Sequence, residues 1–456
     1  MSLQSNKRSQ TKSSSARRKD IYKKSKYYQE KRQKLLIATG IGIFVLVFIL
    51  ILAGIRGCSN YMSSRQAAAK KTVSMNASKD NSQKASSDSQ NTDSVSLTLS
   101  VVGDCTLGTD ETFDYNTSLN AYYENYGADY FLQNVKDIFS TDDLTIANFE
   151  GTLTDSDERE DKTFAFKAPA SYASILTGGS VEAVNTANNH SHDYGDQSFD
   201  DTLAALDDAG IVHFGYDETA VMDVKGIKVG LVGIYELYDH LEREQQLKDN
   251  IAKVKADGAQ LIVVIFHWGN ETETVPDSNQ TTLGRIAIDE GADLVCGHHP
   301  HVLQGIETYK GKNIVYSLGN FCFGGNSSPS DMDTMIYQQT FTIDADGVKK
   351  DNVTNIIPCS ISSAAYDGYN NYQPTPAEGD EATRILGKIN ERSSWISTAE
   401  GSTFTAKYNN NNDSQSSSAD TDASDSGIVD MNSSASDDTD AETYNESYDT
   451  DNSDAE

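Results

Sequence analysis

Between residues 97 and 317, short runs of β-branched and aliphatic residues alternate with stretches whose apolar residues recur at helical spacing. The runs predict strands over 97–102, 144–147, 183–185, 228–234, 261–267, 294–296 and 313–317. Between them the spacing predicts helices over 130–139, 170–178, 198–209, 247–255 and 281–290. Strands alternating with helices of this length build βα units around a mostly parallel sheet, so the fold class is α/β. Residues 306–316 break the rhythm and predict a hairpin turning at Lys310-Gly311, which makes part of the fold antiparallel. The tract 366–408 is weakly patterned and forms an extension of uncertain packing.

The pattern changes abruptly at both ends. Residues 35–55 are uncharged and apolar, and at about 1.5 Å rise per residue they match the roughly 30 Å core of a bilayer. A transmembrane helix is expected there. The 12 Lys and Arg residues in 1–34 form a basic segment, and the positive-inside tendency places it in the cytoplasm and the rest of the chain outside. The apolar run is longer than a signal-peptide core of roughly 7 to 15 residues, and no small-residue cleavage site follows. Residues 56–95 are Ser-, Lys- and Asn-rich and predict a flexible stalk; residues 409–456 are Ser/Asp/Asn-rich and predict a disordered acidic tail. The main domain is expected over 96–365.

A net charge of −31, carried mostly beyond the basic segment, excludes nucleic acid as a partner and predicts repulsion of acidic polymers unless cations intervene. Cys58, Cys105, Cys296, Cys322 and Cys359 are too scattered for a disulfide scaffold and contain no Cys-x-x-Cys pair, so they are expected to be buried small residues.

All eight histidines fall between His190 and His301, and six of them cluster: His190 and His192 in Asn188-Asn189-His190-Ser191-His192-Asp193, His267 in His267-Trp268-Gly269, and three in His298-His299-Pro300-His301. Each cluster follows a predicted strand, and in parallel sheets such positions converge on one crevice. Asp104 and Glu150 follow two further predicted strands and bring carboxylates to the same edge. Imidazole, carboxylate and amide oxygen form a ligand set suited to Zn, Mn or Fe.

The ordered motifs Gly103-Asp104, Asn148-Phe149-Glu150-Gly151, Asn188-Asn189-His190-Ser191-His192-Asp193, His267-Trp268-Gly269, His298-His299-Pro300-His301 with Gln304, and Tyr316-Ser317-Leu318-Gly319-Asn320-Phe321 closely resemble the bacterial capsule-synthesis family of poly-γ-glutamate production. That family resembles a distant branch of the calcineurin-like metallophosphoesterases. The resemblance implies a four-layer α/β/β/α sandwich, attached at the outer face of the cell membrane beside the membrane subunits of a polymer synthase, with an anionic polymer as substrate. It further implies one or two divalent ions. On that mapping Asn189, His267 and His299, with Glu150, hold one ion, and Asp104, Glu150 and His301 a second. Thr106 stands where the phosphoesterase pattern has a metal-binding His, and Glu150 where it has Asp. His190 is placed as a proton donor, His192 and Asp193 as the residues that orient it, and His298, Gln304, Glu307 and Asn320 as outer residues that orient ligands or touch substrate. Two alternatives remain open: a surface metallohydrolase acting on a phosphoester or a γ-glutamyl or cell-wall amide, and a non-catalytic scaffold of the synthase. Whether the protein is an enzyme is left undecided by the sequence.

Overall fold

A computed structural model describes residues 94–349, 353–396 and 406. The basic segment, the apolar run 35–55, the stalk before Ser94 and the acidic tail lie outside the described residues. Among the described residues no helix is long and apolar enough to cross a membrane.

In chain order the strands are β1 (Val95–Thr106), β2 (Leu144–Glu150), β3 (Thr152–Leu153), β4 (Lys167–Ala168), β5 (Ala183–Asn185), β6 (Val212–Phe214), β7 (Ala220–Val224), β8 (Ile227–Tyr235) and β9 (Leu261–His267). They continue with β10 (Leu294–His298), β11 (Ile306–Tyr309), β12 (Lys312–Val315), β13 (Asn320–Phe323), β14 (Asp333–Asp344), β15 (Gly347–Val348), β16 (Val353–Ser360) and β17 (Thr375–Pro376). The helices are α1 (Leu119–Tyr126), α2 (Lys136–Phe139), α3 (Ala173–Gly178), α4 (Gly195–Ala209), α5 (Glu244–Ala256), α6 (Ser278–Asp289) and α7 (Gly379–Ser394).

One sheet runs β17-β16-β14-β1-β2-β5-β6, with β13 also on β1 and β15 on β14; a second runs β11-β12-β10-β9-β8-β7. The first sheet is parallel from β1 to β6 and antiparallel on its β14-β16-β17 side, and the second is parallel at its centre with antiparallel margins, so the fold is mixed rather than mostly parallel. Strand period decides how the sheets stack. Leu97, Leu99 and Val101 of β1 and Leu144 and Ile146 of β2 share one apolar cluster with Val229, Leu231, Val263, Ile265, Leu294 and Cys296 of the second sheet. The alternate residues face outward. Ala147 and Phe149 pack with Ile175, Leu176 and Leu206 of α3 and α4, while Val264, Phe266 and Val295 pack with Leu247, Ile251, Leu283 and Ala287 of α5 and α6. The two sheets thus lie face to face, with helices on their outer sides.

Several elements differ from expectation for identifiable reasons. The helix expected over 130–139 is interrupted, because the Tyr130 carbonyl accepts from Gln373 Nε2 (2.8 Å) and is taken out of a helical ladder. Only α2 remains of it. Helix α6 starts earlier than the apolar spacing indicates because Asp277 and Gln280 form a reciprocal capping box. The hairpin at β11 and β12 does turn at Lys310-Gly311, both with positive φ (52° and 81°), as a two-residue primed turn requires. The weakly patterned extension carries α7, which buries Ala382, Ile385 and Ile389 against the core between the sheets. Cys105, Cys296, Cys322 and Cys359 are buried free thiols.

Candidate metal centre

The parallel strands deliver the site. Strand β9 ends Phe266-His267, and the ring of Phe266 stacks on Trp268 (4.2 Å between centroids) in the helix-side core. Trp268 Nε1 donates to the Tyr316 carbonyl (2.8 Å), which anchors the turn beyond the strand. With both neighbours facing one way, alternation aims His267 the other way, into the crevice. Asp104 and Glu150 lie within β1 and β2 rather than after them, since both strands run further than the apolar pattern shows. A register shift between Val101 and Asp104 accompanies this extension, and Asp104 pairs with Asn148 on one side and Asn320 on the other.

The side chains meet at short range. His267 Nε2 lies 2.8 Å from Asn189 Oδ1 and 3.5 Å from Glu150 Oε1. Ligands held at about 2.0–2.2 Å from one ion stand roughly 3–3.5 Å apart, so this spacing suits a shared cation. The rings of His267 and His299 are 4.8 Å apart, and His299 and His301 5.6 Å. Asp104, Glu150 and His301 form a second group whose ligand atoms all lie within 4.8 Å of one another. Glu150 Oε1 and His299 Nδ1 are buried without a hydrogen-bond partner, a costly state that a cation relieves. The residues therefore fit a divalent ion.

The surroundings tune these groups. Burial raises the Glu150 carboxyl to about 8, with the Asp104 charge adding to the effect. Burial also acts to raise Asp104, but hydrogen bonds and charge from His298 and His301 hold it well below the usual carboxylate range. Burial keeps His267 well below its ordinary value and takes His299 down to about 3, so both are neutral and have lone pairs to donate. His301 is the exception. Burial opposes its charge, yet the Asp104 hydrogen bond and the charge of Glu150 push it up to about 10. Asn148 Nδ2 donates to Asp104 Oδ1 (2.8 Å) and lies 3.2 Å from His267 Nδ1. The Asn148 amide is also held by Asp104, to which its Nδ2 donates, and by Asn185, whose Nδ2 donates to its Oδ1 (2.8 Å each), so it would stay in place were His267 Nε2 to hold an ion.

His190 and Asp193 form a hydrogen-bonded pair (Nδ1 to Oδ2, 2.9 Å). Asp193 is fixed by the Phe166 N–H (2.6 Å) and by Lys162 Nζ (2.7 Å), which also donates to the Asn189 carbonyl (2.8 Å). Lys162 was invisible in the sequence because a lone Lys in an acidic loop carries no pattern. Asn320 Oδ1 accepts from or faces His301 Nδ1 at 2.8 Å, so it orients that ring. His298 is fully buried with Nδ1 3.3 Å from Asp104 Oδ1.

Three expected contributors stand apart. His192 does not orient His190; its half-exposed ring packs by Phe199 and faces Asp196 (3.3 Å), because the turn after His190 carries it to the outer side. Glu307 is held by Arg285 and accepts from the Tyr316 hydroxyl (2.7 Å), which ties the hairpin to α6 and not to the cluster. Gln304 bonds Gln280 Nε2 and the Glu273 carbonyl, so it fastens a loop and touches none of the expected metal ligands.

Beside the cluster lies a groove of about 500 Å³, lined by Glu150, His190, Glu271, His301 and Asn320 at its base, with Phe113, Phe164, Phe166 and Phe323 among its walls.

The family model described as "Bacterial capsule synthesis protein PGA_cap" matches residues 98–325, and the chain belongs to that family of bacterial capsule-synthesis proteins. The chain is 30% identical over 253 residues to the capsule biosynthesis protein CapA of Bacillus anthracis, covering 50% of this chain and 60% of that one. It is 31% identical over 248 residues to the PGA biosynthesis protein CapA of Bacillus subtilis, covering 50% and 63%. A probable polyglutamine synthesis accessory protein of Mycobacterium tuberculosis is 29% identical over 209 residues, covering 39% and 55%. The chain thus spans about three-fifths of the length of the first two relatives.

Proposed function

We propose that this protein is a membrane-anchored, extracytoplasmic component of capsule or poly-γ-glutamate synthesis and export, with a divalent-metal site in a metallophosphoesterase-like four-layer sandwich. The observation that carries the metal site is the convergence of His267 Nε2, Asn189 Oδ1 and the partnerless Glu150 Oε1 within 3.5 Å of His267. Support for the pathway comes from relatives named for capsule and PGA biosynthesis. The apolar run 35–55 behind 12 basic residues supports the anchor, and an anchored domain would be in reach of the membrane subunits of a polymer synthase. Bound cations also let so acidic a chain approach a polyanion.

The groove and the His190 pair favour a metallohydrolase acting on a phosphoester or a γ-glutamyl amide as the second reading. A divalent ion in this position supplies Lewis acidity toward an oxygen of the substrate. Asp193 holds His190 through Nδ1 and leaves Nε2 toward the groove; burial lowers this imidazole, so Nε2 would take a proton from an attacking water before giving it to a leaving group. Lys162 pairs with Asp193 and holds the Asn189 carbonyl in place. Among the described residues that line the groove there is no Lys or Arg, so a bound divalent ion would add to the little positive charge offered to a polyanion there.

In a strain lacking its own member of this family, the full-length protein is expected to restore surface polymer and His267→Ala is not. Equal restoration by a His267→Ala protein present at the same level would leave only the scaffold reading. Restoration by wild type but no turnover of phosphoesters or γ-glutamyl amides by the purified protein would sink the hydrolase reading alone.

A further inference from the structure

The phosphoesterase pattern leaves one place unfilled in this chain, because Thr106 Oγ1 donates to Glu150 Oε2 (2.8 Å) where a His ligand would stand. Another residue reaches the cluster from a loop. Glu271 sits on the loop after β9, and one of its carboxylate oxygens lies within 4.8 Å of ring nitrogens of both His299 and His301. We propose that Glu271, His299 and His301 hold a second divalent cation, with Glu271 supplying the charge-bearing ligand that Thr106 cannot. This rests on the reading of the centre as a metal site.

A buried group without a partner points to a ligand here, and the loop geometry holds Glu271 within its reach. His299 Nδ1 is buried, at 6% exposure for the residue, and has no hydrogen-bond partner. The loop is also locked in place: Thr272 N–H donates to the Pro300 carbonyl (2.9 Å), and Gln304 Nε2 to the Glu273 carbonyl (2.8 Å). Thr272, His299 and His301 all hold positive φ (63°, 92° and 56°), a strained arrangement that brings the two segments together. Gln304 thereby gains a role, since it fixes the Glu271 loop against His299-Pro300-His301. Glu271 is exposed and lines the groove with Glu150 and His301, so this ion is reached from the groove and exchanges more readily than one held by buried His267. Two imidazoles and a carboxylate suit Mn²⁺ or Zn²⁺ over Ca²⁺.

The test is a Mn²⁺ titration of the full-length, chelator-stripped protein, read as free Mn²⁺ by electron paramagnetic resonance and as bound metal by elemental analysis. Wild type is expected to bind two ions per chain. Glu271→Gln is expected to keep one and to weaken the other by more than about 10-fold, with Glu271→Asp partly restoring it and with thermal unfolding unchanged. Glu271→Gln binding two ions at wild-type affinity overturns the proposal. So does a wild type that binds a single ion unaffected by Glu271→Gln, which leaves the His267 site standing. Binding of none by wild type removes both.

Discussion

Gly297→Ala is expected to lower unfolding stability by about 3 kcal/mol or more, the sum of overpacking and a broken buried hydrogen bond. A Cβ at Gly297 would stand 2.2 Å from Trp268 Nε1 and 2.2 Å from the Tyr316 carbonyl oxygen. Those two atoms are already bonded to each other, and one belongs to backbone, so neither can retreat cheaply. The strain falls at the turn that aims His267 and immediately before His298 and His299. A fall in the urea midpoint together with weaker metal binding is therefore the expected pair of results. A variant as stable as wild type would show that the Trp268 anchor does not set the position of β9.

Asp104→Asn is expected to have the next largest effect and to reveal itself through pH. In wild type held metal-free by a chelator, His301 is raised to about 10 and Glu150 to about 8, so the folded state binds more protons than the unfolded one. The stability from His301 is complete below its unfolded value of roughly 6.5 and is lost as pH rises toward about 10. Glu150 acts in the same direction, because its buried neutral form is favoured and ionisation up to about 8 weakens the fold. Buried neutral His267 and His299 oppose this only around and below roughly pH 6.5, where they would be charged in the unfolded chain, so wild-type stability is expected to decline between about pH 7.5 and 10. Asp104→Asn removes the carboxylate facing His298 and His301 (3.3 Å each), which lowers stability at pH 6.5 and flattens that decline. Denaturation midpoints across this range check it; an unchanged slope would mean that Asp104 does not hold His301 charged.

How far the molecule was legible from its sequence varied with the cause of each feature. Strands β5 and β9 were bounded correctly because both faces are apolar and their ends are marked by polar motifs. Strands β14 and β16 were missed because one face is polar: Gln338, Thr340 and Asn355 alternate with Tyr337, Phe341 and Ile356 and mask the apolar period. The break before α2 is set by Gln373, 243 positions away, which no local pattern contains. Of the residues that the fold brings together, His190, His267, His298, His299 and His301 with Asp104, Glu150 and Asn189 were readable because their motifs cluster at or near strand ends. Glu271 and Lys162 were not, since single charges in polar loops look solvated until the fold brings them to His299 and Asp193. His192 and Glu307 misled because proximity in sequence to a cluster says nothing about which side a turn places a side chain.

Asn189, His267 and Glu150 are the residues proposed to hold a divalent ion. Elemental analysis of the purified full-length protein, beside His267→Ala and His299→Ala, tests that assignment most directly. Wild type is expected to hold stoichiometric Zn, Mn or Fe and His267→Ala one ion fewer per chain, with the fold retained by circular dichroism; no metal in wild type after loading with each ion would overturn the site.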